Sequence, residues 1–452
     1  MAYRNYLRRP LLVASLFLFN IVAAQYVFPL AGVNFAQGFW GDGANCQNAA
    51  FNSPGPLAMA PNGDIYVADA GNARIRMIKI NSIITTVAGT GKDGYSGDGG
   101  LATLAKIGAI TAMVFDASGN LYFADSSYHC IRMINSNGII TTVAGTGTAG
   151  TSPDGATAYG SSINGPGGIT INSSGTIYFT ETHNHCIRTI STSGILGTVA
   201  GTAHVSGFAG DNGQALSASL NLPGYLHFDK NGNLYICDVG NARIRKINTS
   251  GVISTFAGNG SPGFTTDNGT ATQISINNPS ALANNYFNEI YFTDSGNHKL
   301  RKVDAAGYIS TLVNNGPVSS GNSGTLGPAF TFKINSPSGI IIKTDHSIYF
   351  SDRDNNTIRM LDETNGLLVP SNQADTALRI IYNSNNGLLM VNNKNIDGAR
   401  ELGVYSLCGQ KILCTDIIEE ETLIHASLSP GIYLVIINSS NRNSVVKKII
   451  AE

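Results

Sequence analysis

The stretch Asn231-Gly232-Asn233-Leu234-Tyr235-Ile236-Cys237-Asp238, continued by Val239-Gly240-Asn241-Ala242-Arg243-Ile244-Arg245, decides the fold because it recurs. Its tyrosine returns as Tyr66, Tyr122, Tyr178, Tyr235, Tyr291 and Tyr349, at intervals of 56, 56, 57, 56 and 58 residues. Three residues after each tyrosine stands an acid: Asp69, Asp125, Glu181, Asp238, Asp294 and Asp352. Nine residues after it comes an aliphatic residue followed by arginine, in the pairs Ile75-Arg76, Ile131-Arg132, Ile187-Arg188, Ile244-Arg245, Leu300-Arg301 and Ile358-Arg359. Six copies of one supersecondary unit stack to share a core that none could bury alone.

Each unit divides into four short strands separated by Gly, Asn and Asp turns, as at Asp116-Ala117-Ser118-Gly119-Asn120. Four strands per repeat make a propeller blade. The first strand alternates large apolar columns, Leu57, Met113, Ile169, Leu226, Leu282, Ile340 and, with Asn284 the one exception, Met59, Phe115, Ile171, Phe228, Asn284, Ile342, as strands packed face to face between blades require. The sixth unit stops near Leu367-Leu368-Val369-Pro370, while Tyr26-Val27-Phe28-Pro29-Leu30-Ala31-Gly32 matches the fourth-strand motif. The expectation is an all-β, six-bladed β-propeller over residues 25–370 whose N-terminal strand closes the last blade, so that no strand edge stays open.

These segments, with the linker Gly97-Asp98-Gly99-Gly100, resemble the NHL repeats of extracellular and bacterial propellers. Unit two departs from the pattern with Tyr128 where the others carry asparagine. Unit six lacks the linker aspartate.

The flanks address the chain outward. Arg4, Arg8 and Arg9 precede an apolar run from Leu11 to Val22 and then Ala23-Ala24, which reads as a signal peptide over residues 1–24. No later run is long enough for a membrane span. After a polar linker at 371–376, residues 377–452 form alternating segments expected to fold as a small β-sandwich. Leu428-Ser429-Pro430-Gly431-Ile432-Tyr433 and Val446-Lys447-Lys448-Ile449-Ile450 resemble the C-terminal sorting domain of the Bacteroidetes type IX secretion system, with Gly431, Tyr433, Lys447 and Lys448 as motif residues. The resemblance implies delivery to the outer surface or the medium through that secretion machinery. The Tyr-Pro-Asn-Pro opening of that family is Tyr382-Asn383-Ser384-Asn385 here.

Composition excludes some partners. A net charge of −1 with 13% charged residues gives no basic footprint for nucleic acid. The six cysteines sit at positions that do not pair naturally, so most are expected to be free thiols. A residue repeated in every blade is structural before it is catalytic, so the acid and arginine columns read as scaffold. The linker aspartates Asp42, Asp98, Asp154, Asp211 and Asp267 offer oxygens to calcium, but Asp-Gly and Asp-Asn are ordinary turn formers. Glu181-Thr182-His183-Asn184-His185 has the residue types of a zinc cluster, with a polar blade turn as the preferred reading. Glu181, His183 and His227 are the candidate channel or ligand residues. No catalytic residue or cofactor is assigned. Two function classes remain: a monomeric, non-catalytic module binding a protein, peptide or glycan, and an enzyme resembling six-bladed lyases and lactonases with a metal near the central channel.

Overall fold

The computed structural model describes residues 25–361, apart from 33–35, 268, 325–326 and 344–346, together with seven strands between Arg379 and Ala451. Residues 1–24, expected to be a signal peptide, residues 371–376, expected to be a linker, and Leu367-Leu368-Val369 lie outside the described residues.

Six antiparallel sheets form a closed ring. In the fourth blade the chain runs outward through Pro223–Phe228, Leu234–Asp238, Arg243–Ile247 and Val252–Ala257, each strand paired with the next. Asp or Asn side chains pin the tight turn between the first two strands, as when Asp229 accepts from the backbone N–H groups of Asn231 and Asn233 at 2.9 and 2.8 Å. After the second strand a single 3₁₀ turn, Val239–Asn241, ends on a left-handed residue, Ala242 at φ +48°. The same left-handed position holds Ala73, His129, His185, His298 and Asn356 in the other blades.

The innermost strands, Pro54–Met59, Ile110–Phe115, Pro166–Ile171, Pro223–Phe228, Pro279–Asn284 and Pro337–Ile342, surround the central channel. They approach so closely that a Cβ on Gly168 would lie 2.4 Å from the Gly224 carbonyl oxygen, and one on Gly339 2.6 Å from that of Gly55. Only glycine fits there.

Each of the six gaps between blades holds its own apolar cluster. The repeated aliphatic residue supplies one member to each: Ile358, Ile75, Ile131, Ile187, Ile244 and Leu300, all 0% exposed. Aromatic pairs cross the gaps as well. Tyr66 meets Phe115 edge-on at 4.8 Å, and Tyr178 meets Phe228 at 4.9 Å.

The ring closes through the N-terminus. Tyr26–Ala31 forms the fourth strand of the sixth blade, with Val27 opposite Leu361, Phe28 opposite Met360 and Pro29 opposite Arg359. On its far side Tyr26 and Val27 pair with the short segment Gly327–Pro328. Pro29 lies beyond that pairing, so its missing N–H costs no ladder bond there. Ser338 and Ser351 hydroxyls donate to the Pro54 and Gly55 carbonyls at 3.2 and 2.5 Å, joining the sixth blade to the first at the channel.

The C-terminal strands form two antiparallel sheets. One has Leu388–Asn392 between Arg379–Asn383 and Glu421–His425; the other runs Lys411–Asp416, Ala399–Ser406, Gly431–Ser439, Ser444–Ala451. The motif residues lie on the last two strands, with Gly431 opposite Ala451, Tyr433 opposite Ile449, Leu434 opposite Lys448 and Val435 opposite Lys447. Leu402, Val404 and Val435 are buried.

Candidate functional site

The repeated charges assemble into a scaffold. Arg245 is fully buried, and its guanidinium bridges Asp238 of its own blade at 3.3 Å and linker residue Asp211 at 2.7 Å. Arg76 joins Asp69 and Asp42, Arg188 joins Glu181 and Asp154, and Arg301 joins Asp294 and Asp267 in the same way. In the sixth unit, which lacks the linker aspartate, Asn322 Oδ1 accepts from Arg359 at 3.5 Å. The linker aspartates considered for calcium are thus each held to a buried arginine.

The acid column ties the blade to the linker that enters it. The backbone N–H groups that reach Asp69, Asp238 and Asp294 belong to Asn52, Asn221 and Asn277, each 17 residues upstream, where the linker enters the blade. The asparagine three residues after the acid ties the same carboxylate to the linker: Asn241 Nδ2 donates to Asp238 and to the Gly207 carbonyl. Blade two is the exception. With Tyr128 in place of asparagine, Asp125 accepts from the N–H groups of Gly108 and Tyr128, Arg132 goes to Asp98, and burial pushes the Asp125 carboxyl up to about 6.

Three sequence candidates come to different ends. Glu181 is buried and bonded to Arg188 at 2.7 Å, to Asn184 Nδ2 at 2.5 Å and to the Asn164 N–H at 3.3 Å, so it belongs to the scaffold. His185 is equally committed, its Nδ1 accepting the Leu222 N–H of the next blade at 3.0 Å. His129 takes the Gly165 N–H and His298 the Ser336 N–H at the same distance. Burial is the main cause that lowers the pKa of all three. His227 sits on the innermost strand of blade four and pairs through Nε2 with Asn284 Oδ1 of blade five at 2.7 Å; burial lowers its pKa too. Of the three candidates only His183 is exposed, at the mouth of the channel. Among the described residues no three His, Cys, Asp or Glu side chains gather into a metal site.

That mouth is a cavity of about 490 Å³ to which all six blades contribute. Its wall is built from the starts of the innermost strands and the residues just after the repeated acid. In the latter column four blades offer Ala70, Ser126, Thr182 and Val239, and blade six offers Arg353. In the innermost strands the column Pro56, Ala112, Gly168, Ala281, Gly339 is small everywhere except blade four, which carries Tyr225. Tyr225 lines the cavity and packs against the apolar clusters between blades two and three, four and five, and five and six, so its ring lies across the channel as a floor. Burial raises its hydroxyl pKa to about 12, which keeps it a neutral phenol.

Several wall hydroxyls are already used. Thr111 donates to the Pro166 carbonyl and Thr182 to the Pro223 carbonyl, both at 2.8 Å, and Ser338 to Pro54. Their protons staple neighbouring blades, and what they can offer an occupant is the oxygen lone pair. Sequence reasoning passed over Tyr225 and Arg353. The available signal was the repeat itself, since each is the one large residue in a column of small ones, a departure that tabulating only the agreeing columns hides.

Fold and site define an exported β-propeller with one blocked, ligand-sized channel mouth. Residues 51–76 match the NHL repeat, and residues 380–452 match the secretion system C-terminal sorting domain, so the chain is an NHL-repeat propeller carrying that domain. The domain marks it for type IX secretion, to the cell surface or the medium. Among curated proteins the chain is 28% identical to mouse Teneurin-1 over 237 residues, 47% of this chain and 8% of that one. It is 24% identical to the Arabidopsis thaliana chloroplastic protein SUPPRESSOR OF QUENCHING 1 over 328 residues, 69% of this chain and 30% of that one. It therefore spans only a small part of these relatives. Two auxiliary nutrient binding proteins share the fold: one from Bacteroides thetaiotaomicron (TM-score 0.56, 15% identity, covering 75% of this chain and 76% of that one), and one from Bacteroides ovatus (TM-score 0.55, 16%, 75% and 77%).

Proposed function

We propose that this exported propeller is a non-catalytic binding module that holds a small ligand in the channel mouth. The observation that carries the reading is the placement of Tyr225, Arg353 and His183, which depart from the repeat and all line one cavity. The acids and the other channel-side histidines are tied to arginines, backbone N–H groups or asparagine, which supports a scaffold role for them and a holding role for the cavity. A volume near 490 Å³ falls in the range of roughly 300–1,000 Å³ that encloses small molecules, which favours these over a protein or long glycan. The competing enzyme reading rests on His183 beside the wall hydroxyls.

The test is a thermal-shift screen of the purified propeller against sugars, amino acids, short peptides and organic acids, repeated on Ser126→Trp, which fills the mouth. Ligands that stabilise the parent and not the variant are expected. Hits retained by Ser126→Trp would place binding elsewhere, and turnover of a hit would move the reading to an enzyme.

A further inference from the structure

We propose that the ligand of the channel mouth is a small hydroxylated carboxylate, its carboxylate held by the Arg353 guanidinium. This rests on the cavity being the binding site, and it adds the chemistry. Arg353 carries the one permanent charge among the lining residues, and none of those residues is acidic. Its situation differs from that of every repeated arginine. Arg76, Arg132, Arg188, Arg245, Arg301 and Arg359 are buried and each bound to a carboxylate 3.3 Å away or closer, whereas the Arg353 side chain is 53% exposed. Asp354, also half exposed, comes no nearer to it than 3.9 Å, at Nε. At that distance Asp354 makes no hydrogen bond to the guanidinium, whose Nη fork matches a carboxylate.

The rest of the wall tells where the carboxylate cannot go and what must accompany it. Thr111, Thr182 and Ser338 have given their protons to proline carbonyls of the next blade, so they present lone pairs. Lone pairs repel an anion and accept from hydroxyl donors. An occupant that satisfies the wall meets the Arg353 guanidinium with its negative charge and sets hydroxyl groups against Thr111, Thr182 and Ser338. A neutral sugar offers the Arg353 guanidinium no anion, and a simple fatty acid offers the hydroxyl oxygens no donor.

The experiment is calorimetric titration of the whole propeller with paired probes of matched skeleton: glucuronate against glucose, galacturonate against galactose, gluconate against sorbitol. At least one acid should bind, with its neutral partner about tenfold weaker or more, and Arg353→Gln should remove that preference. Arg353→Gln is an exposed substitution, and an unchanged melting temperature will show that it folds. Equal binding of acid and neutral partner, undiminished acid affinity in Arg353→Gln, or binding of none of the acids would overturn the proposal. Screen hits that Ser126→Trp abolishes would leave the cavity reading standing in each case.

Discussion

At the residue scale the repeat separates two kinds of burial. Ile244 and its equivalents fill the gaps between blades, and Ile244→Ala should cost about 2–5 kcal/mol through lost contact and a residual cavity. Asp238→Ala should cost about 3–5 kcal/mol for a different reason, since it strands the buried Arg245 with half its charge partners gone. Denaturant midpoints of the two variants check both, and an unchanged midpoint for either would show that its column is not core. The acid and arginine columns were legible in the sequence, and so was the asparagine that follows the acid. The partner of the arginine was not read, although it was written in constant spacing: Asp42, Asp98, Asp154, Asp211 and Asp267 each precede the arginine they bind by 34 residues. An Asp-Gly pair satisfies turn chemistry so completely that its second use is invisible until the linker is seen folded back against the blade.

At the scale of elements, the left-handed residue in the turn after the second strand acts as a latch to the next blade in four of the six blades, Ala73 and Ala242 holding the position in the other two. In blades two, three and five the latch is a histidine whose Nδ1 accepts an N–H, and in blade six it is Asn356, whose Oδ1 accepts the Ser53 N–H at 2.9 Å. A protonated imidazole cannot accept. Because burial holds these pKa values below the ordinary 6.5, the folded state binds fewer protons than the unfolded chain. The stability they contribute is complete above pH 6.5 and is lost as the pH falls through the folded pKa values. The triple variant His129→Asn, His185→Asn, His298→Asn copies the blade-six latch without a titrating group, so its unfolding midpoint should vary less with pH below 6.5 than the parent's. An unchanged slope would show that the latches do not titrate with folding. The sequence placed these histidines in one column and hence in a packing role, but the N–H each one accepts comes from a linker residue 36 to 38 positions downstream, a separation no local pattern reveals.

For the whole molecule, ring closure was legible because the N-terminal segment keeps the register of a fourth strand. The cavity was not, because a channel mouth is made by one or two residues from each of six distant repeats. Deleting residues 26–31 removes the partner of Thr357–Leu361 and bares its N–H and C=O groups. The shortened protein should aggregate or become protease-sensitive near residues 340–361, read by limited proteolysis against the parent. Full solubility and resistance would mean that another segment can take the strand's place.

The pairing of Val27 with Leu361 also sets an order of events. A chain threaded outward from its N-terminus delivers Tyr26–Ala31 early, yet the strand that receives it arrives more than three hundred residues later. Until then five blades can form locally while the sixth waits, and the pairing that completes it spans the largest separation in the ring and so carries the largest loop-closure cost. The propeller thus carries its own completion signal: the channel mouth, which needs Arg353 from the last blade beside Ala70 from the first, comes into existence only when the circle shuts.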